Sequence, residues 1–177
     1  MSGHSKWSTI KHKKAANDKV KGSVFTKMAK AITIAVKKGG GVSDPAMNFS
    51  LRLAIDKARA VNMPKENIDR AIEKGIGVGG EEIVELLIEG FAPERVAVLI
   101  EAVTDNRNRT IAEMRILMEK HGGVMGSIGS VAYMFEKTNS GYQPKYPASV
   151  EEPEKIREFI ELLKENDDVQ EVYVNLG

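Results

Sequence analysis

The residues best equipped for chemistry lie at the start of the chain, where Gly3 to Trp7 (GHSKW) and Ile10 to Lys14 (IKHKK) set His4, Trp7 and His12 among Lys6, Lys11, Lys13 and Lys14. Lysines neutralise phosphate oxygens and release condensed counterions, and an indole can stack on a base or a ribose. The expected nucleic-acid interface is therefore Lys6, Trp7, Lys11, His12, Lys13 and Lys14, with Lys27 and Lys30 extending the basic surface. Trp7 is the single tryptophan, and its competing role is to pin the tail to a helical core. The two roles are compatible. His4 and His12 read as hydrogen-bond donors, because a chain with 3 histidines and 0 cysteines is a poor source of zinc ligands.

A second cluster, Thr104 to Thr110 (TDNRNRT), joins an expected strand to an expected helix. Asp105 or Asn106 can cap that helix, while Arg107 and Arg109 fall in its first turn, where the macrodipole disfavours cations unless they pair. Their partner is either an external phosphate, which adds both arginines to the candidate interface, or the acidic surface of their own domain.

Two glycine clusters resemble phosphate loops only superficially. Gly39 to Gly41 follow a helix and lack the Gly-Lys-Ser/Thr ending of a P-loop, and Gly75, Gly77, Gly79 and Gly80 also follow a helix where a dinucleotide site needs a strand. No cofactor or metal is expected. Acid–base catalysis needs a carboxylate pair or a histidine–nucleophile pair held together, and no spacing here forces one, since the glutamates read as helix and strand surface. The reading is non-enzymatic, with no catalytic residue and no small-molecule substrate.

The elements that carry these residues follow from periodicity. Ser8 to Lys21 is polar and helix-compatible but weakly anchored; Ser23 then reads as the N-cap of an amphipathic helix with Phe25, Met28, Ala29, Ile32, Ala35 and Val36 inward and Lys27, Lys30, Lys37 and Lys38 outward. Gly39 to Gly41 stop it. A third helix carries Leu51, Ala54, Ile55, Ala58 and Val61, and a fourth follows Pro64 with Ile68, Ala71 and Ile72. The glycines from 75 to 80 read as a linker. Beyond it, Ile83 to Ile88 and Val96 to Val103 read as strands joined by a turn at Gly90 to Pro93, and residues 107 to 121 as a helix with Ile111, Met114, Leu117 and Met118 inward. A strand at Val131 to Phe135, an edge segment at Tyr142 to Val150, a helix at Pro153 to Lys164 and a strand at Val169 to Val174 complete the pattern. The expected fold class is α+β: an all-helical N-terminal module, domain 1–76, followed by an antiparallel-type α/β sandwich, domain 81–177.

Charge divides at the same place. The chain of 177 residues has a net charge of only +1, yet residues 1 to 80 hold 16 Lys+Arg against 6 Asp+Glu, giving +10, and residues 81 to 177 hold 10 against 19, giving −9. The first 38 residues contain ten lysines and one acid, Asp18. A densely anionic partner is the natural inference, with phosphate the commonest such group. The opposed halves also make salt-sensitive self-association possible, which would suit a protein-interaction adaptor. The absence of cysteine excludes disulfides, thiol nucleophiles and iron–sulfur clusters and permits a reducing compartment. No apolar run approaches the roughly 20 residues of a membrane span, and the lysine-rich start fits neither a secretory signal nor a typical transit peptide, so a cytoplasmic location without membrane contact is expected.

GHSKW, IKHKK, Phe25 to Lys27 (FTK), the glycine triplet, residues 62 to 75 (NMPKENIDRAIEKG), TDNRNRT and residues 129 to 135 (GSVAYMF) occur in an order that closely resembles the YebC/PmpR family, which includes the mitochondrial translational activator of cytochrome oxidase subunit one. The resemblance runs over residues 1 to 137 and resumes at Asp167 to Gly177 (DDVQEVYVNLG). It implies a non-enzymatic cytoplasmic regulator of gene expression. Members of this family are described both as DNA-binding transcriptional regulators and as ribosome-associated translation factors. The lack of a zinc finger, homeodomain pattern or RNP motif favours a reader of shape and phosphate, for which ribosomal RNA is the leading partner and DNA the alternative. The family carries a third small domain where this chain has only Thr138 to Gly141, so the resemblance implies its deletion near 138–141.

Overall fold

The computed structural model describes the backbone of residues 3–80 and 82–177, and the side chains of residues 14, 17–80 and 82–177. Two compact units emerge, one ending at Val78 and the other beginning at Gly79.

The first unit is built on α1 (Gly3–Lys38), a single helix of 36 residues and about 54 Å at 1.5 Å per residue. The expected break at Ser23 does not occur. Gly22 and Ser23 are carried inside the helix, because a lone glycine costs only about 1 kcal/mol relative to alanine while the helical bonds continue on both sides. Gly39 to Gly41 do end it: Gly41 N–H donates to Val36 O at 2.9 Å, and Gly40 and Gly41 have φ of 68° and 84°. Asn48 then caps α2 (Phe49–Ala60), accepting from Leu51 N–H at 3.0 Å and donating through Nδ2 to Ala35 O at 3.0 Å and Val42 O at 3.1 Å. One buried side chain thus starts α2 and fastens it to the end of α1. Val61, expected on the inward stripe, is 39% exposed, since α2 has ended at Ala60.

After α3 (Lys65–Gly75), the core of this unit is complete: Ile32, Val36, Leu51, Ile55, Ala58 and Ile68 pack together, each fully buried aliphatic side chain stabilising by about 1.5–3 kcal/mol. Gly75 belongs to the last turn of α3 and not to the linker. A Cβ there would lie 2.6 Å from Val36 Cβ, so its missing side chain lets α3 close on α1.

The second unit contains a four-stranded antiparallel sheet in the order β3-β1-β2-β6, from β1 (Val84–Phe91), β2 (Ala97–Thr104), β3 (Val124–Met125) and β6 (Val169–Val174). β1 runs past the expected turn at Gly90. That glycine is pressed against β3, where a Cβ would come within 2.5 Å of Val124 O, and the reversal falls instead at Pro93–Arg95, a 3₁₀ turn. Successive residues of β2 serve opposite faces. Val98, Ile100 and Ala102 pack under α4 (Arg107–Lys120) and α5 (Pro153–Lys164), while Ala97 and Leu99 meet Val131 and Phe135. A strand covered on both faces reads as a continuous apolar run, which is how β2 looks in the sequence.

Val131 to Phe135 is not a strand; Ala132–Met134 form a 3₁₀ turn leading into β4 (Phe135–Thr138). β4 pairs with β5 (Gly141–Pro144) as a separate two-stranded hairpin, with Thr138 opposite Gly141. Its loop occupies the point where the resemblance implies the deleted domain. The molecule is α+β, a helical unit followed by a sheet unit with helices on one face and a hairpin on the other.

Candidate nucleic-acid interface

Three- and four-residue steps along α1 place Lys14, Asp18, Lys21, Phe25, Met28, Ile32 and Val36 on one stripe. Its C-terminal part is apolar and joins the core of the unit, but from Lys21 backwards the same stripe is charged, and Lys14, Asp18 and Lys21 are exposed. Among the described residues, burial along this stripe therefore begins at Phe25. Among the expected contact residues, Lys14 is exposed and Lys27 and Lys30 are half-buried. The side chains of His4, Lys6, Trp7, Lys11, His12 and Lys13 lie outside the described residues. Lys37 and Lys38, in the last turn, are favoured there by the negative end of the helix dipole.

In the second unit, TDNRNRT is an internal clasp. Asn106 is the cap, its Oδ1 accepting from Arg109 N–H at 3.1 Å. Arg109 Nη2 donates to Asp105 Oδ1 at 2.8 Å and to Asp168 Oδ2 at 3.2 Å, and hydrogen bonding to Asp168 and then Asp105 raises its pKa further above an already high value. Thr110 Oγ1 donates to the same Asp168 oxygen at 2.6 Å and lies 2.8 Å from Thr104 Oγ1. Of the two partners the sequence allows for Arg109, the structure has the carboxylates of its own domain. Arg107 sits one turn edge away, exposed, beside Ile111 and Arg115 in a surface cleft.

Sequence reasoning placed the glutamates on surfaces and so missed Glu89, which is 5% exposed in the middle of β1. Its carboxylate accepts backbone N–H bonds from Gly129 at 2.6 Å and from Val131 and Ala132 at 2.8 Å. Burial alone would raise its pKa, but the three N–H donors outweigh burial and hold it below its ordinary value. This accounts physically for much of the GSVAYMF string, whose backbone folds around a carboxylate some forty residues upstream. Asp168 was missed for the same reason. On the hairpin side, Tyr173 donates to Glu101 Oε2 at 3.0 Å and meets Tyr142 edge-on at 5.3 Å; burial first, then the Glu101 charge, pushes the phenol pKa upward.

The titratable groups with shifted pKa values in these networks are thus satisfied by internal partners. Among the described residues no group of three or more histidine, aspartate and glutamate side chains could hold a metal ion, and no helix is long and apolar enough to cross a membrane.

Comparison with known proteins adds identity to this geometry. Residues 5–78 match the TACO1/YebC protein N-terminal domain, and residues 83–141 match the TACO1/YebC second and third domain. Relatives named probable transcriptional regulatory protein occur in Chloroflexus aggregans, 56% identical over 138 residues (77% of this chain, 54% of that protein), and in Syntrophomonas wolfei, 51% identical over 155 residues (87% and 61%). The chain thus spans about half the length of the curated relatives it matches. A solved structure, a conserved hypothetical protein from Aquifex aeolicus, aligns with a TM-score of 0.78 and 31% identity, covering 88% of this chain and 90% of that one. With its helical unit and most of its sheet unit each matched to the family, and a solved homologue of the same fold, the chain belongs to the TACO1/YebC family.

Proposed function

We propose that this protein is a non-enzymatic, cytoplasmic regulator of gene expression that binds nucleic acid through residues 1–76, a basic domain, while the acidic domain 81–177 faces other partners. The observation that carries the reading is the charge split of +10 against −9, focused on a helix with ten lysines in the first 38 residues. Lys6, Lys11, Lys13, Lys14, Lys27 and Lys30 contact phosphates, Trp7 stacks on a base or ribose, and His12 donates a hydrogen bond. Ribosomal RNA, a dense and irregular phosphate surface, is the partner this charge fits best. Arg109, committed to Asp105 and Asp168, is the weakest member of the expected set.

DNA-binding transcriptional regulation is the second reading, favoured by the name that relatives at 51–58% identity carry. Binding of the full chain to purified ribosomes and to a panel of duplex DNAs, measured across ionic strength in the same buffers, separates the two. Saturable ribosome binding that survives competitor DNA supports the first; selective retention of one DNA sequence against competitor supports the second. Equal weak binding to everything defeats both.

A further inference from the structure

Phe49, the first residue of α2, projects from a firmly held backbone. Asn48 before it is buried, and its side chain binds Leu51 N–H, Ala35 O and Val42 O while its C=O accepts from Arg52 N–H at 3.0 Å. The Phe49 ring itself lies outside the core cluster of the helical unit and is 63% exposed. Met47 beside it in the chain is 79% exposed, and Leu53, one turn along the same face of α2, is 45% exposed. The Arg52 guanidinium lies over the ring, 5.1 Å from its centroid, and has no carboxylate partner among the described residues. The helix around this pair is basic: Arg52, Lys57 and Arg59 stand against a single acid, Asp56, which pairs with Arg59. An aromatic ring and a guanidinium are thus stacked on each other at the surface, and neither belongs to the core of its own unit.

We propose that Phe49 and Arg52 form a stacking platform for one unpaired nucleobase, with Met47 and Leu53 along its edge and the Arg52 guanidinium on the adjoining phosphate. The proposal rests on the reading of residues 1–76 as a nucleic-acid-binding domain and deepens it by naming the form of the target. A nucleotide offers both chemistries the pair lacks: a flat π-face for the ring, and an anion whose oxygens accept from the guanidinium. An apolar protein surface serves Phe49, Met47 and Leu53 equally well, but it would bury the Arg52 charge without a partner, at a cost in desolvation. Bases inside a duplex already have a neighbour on each face, so only an unpaired base can lie on the ring. The platform therefore favours single-stranded or looped nucleic acid over a duplex, whereas the lysines of α1, which meet phosphates, draw no such distinction.

The test uses the full chain and fluorescein-labelled RNA of about 12 nucleotides, once as a strand without self-complementarity and once as its duplex, followed by fluorescence anisotropy. Phe49→Ala is expected to weaken single-strand binding about tenfold and to leave duplex binding unchanged. Phe49→Leu, which keeps the apolar bulk and loses the π-face, should be as weak as Phe49→Ala, and Phe49→Trp should bind at least as well as the parent. Arg52→Gln should lower the slope of log affinity against log salt for the single strand by about 0.7, the value for one phosphate contact. The same strand as DNA should show the same dependence on Phe49, since a ring stacks on either base. Single-strand binding indifferent to Phe49→Ala, equal loss on strand and duplex, full activity of Phe49→Leu, or a Phe49 effect on RNA absent from DNA overturns the platform. Replacing Lys11, Lys13 and Lys14 by alanine separates the two readings. If that variant loses both probes while Phe49→Ala loses neither, the platform fails and the nucleic-acid-binding domain stands; a parent chain that binds neither probe defeats both.

Discussion

Glu89 shows how a single charged side chain shapes its surroundings. It replaces the hydration of a buried carboxylate with three backbone N–H bonds, and those same bonds satisfy donors in a segment with little regular structure. Glu89→Gln keeps the shape but substitutes an NH₂ for one acceptor oxygen, leaving a buried N–H donor facing another donor; the expected loss is about 1–3 kcal/mol at pH 7 by urea denaturation. The pH dependence follows from the depressed pKa. A carboxyl lowered in the folded state contributes stability that is complete above its unfolded pKa, about 4.3, and lost as pH falls through the folded value. Denaturation series between pH 7 and pH 3 should therefore show a shallower acid loss in the Gln variant than in the parent. Parallel curves would mean that the three bonds do not bias ionisation.

A comparable argument holds for Asp168, which is 3% exposed and receives Thr110 and Arg109 together. Asp168→Ala removes the shortest acceptor of the Thr110 hydroxyl, which keeps Thr104 Oγ1 and Asn106 O, and one of the carboxylates that hold Arg109. A cost of about 1–3 kcal/mol is expected, from the hydrogen bonds lost to a buried carboxylate, since Arg109 is 43% exposed and keeps Asp105. Thr110→Val, which removes a hydrogen bond without stranding a charge, should cost less. Thermal melts of the two variants settle the order.

At the scale of elements, close approach is what the glycines decide. Gly75→Val would drive a side chain into Val36, with the first added carbon already 2.6 Å from its Cβ and 3.0 Å from Thr33 O, so α3 must move off α1. Overpacking of this kind costs about 1–3 kcal/mol, occasionally more. Because each unit has its own core, the loss should fall on the helical unit: hydrogen exchange at α2 and α3 amides accelerates while β2 amides keep their protection. Uniform acceleration across both units would mean that they unfold as one. The stripe on α1 gives the complementary element-level lesson. Where the stripe turns from apolar Phe25 to charged Lys21, Asp18 and Lys14, its described residues are exposed although the helical backbone continues.

Charge separation belongs to the whole molecule. Replacing Lys11, Lys13 and Lys14 by alanine should weaken binding similarly across nucleic-acid sequences and reduce the slope of log affinity against log salt by about 2–3, at 0.7–0.9 per phosphate contact released. The near-neutral total makes this a test of local charge, since the substituted chain still differs little in net charge from many non-binding proteins. An unchanged slope would remove the basic tail from the interface.

Local chemistry was enough to read both helices of the sheet unit, the strands β2 and β6, the glycine stop after α1 and the change from helical to strand periodicity near residue 80. Each of these is set by neighbours within a few residues, through periodicity, capping or a missing side chain. The charge split and the lysine-rich start are properties of composition and needed no coordinates. What only the tertiary structure decided is where long-range partners meet. The sequence cannot tell that α1 runs uninterrupted through Ser23, because a serine after a glycine satisfies a cap and a helix interior almost equally well. Nor can it place Glu89 beneath Gly129 to Ala132, or Asp168 beside Thr110 and Arg109, since these contacts span 40 to 59 positions along the chain. A buried carboxylate and an exposed one have the same letter, and the fold alone determines which donors arrive.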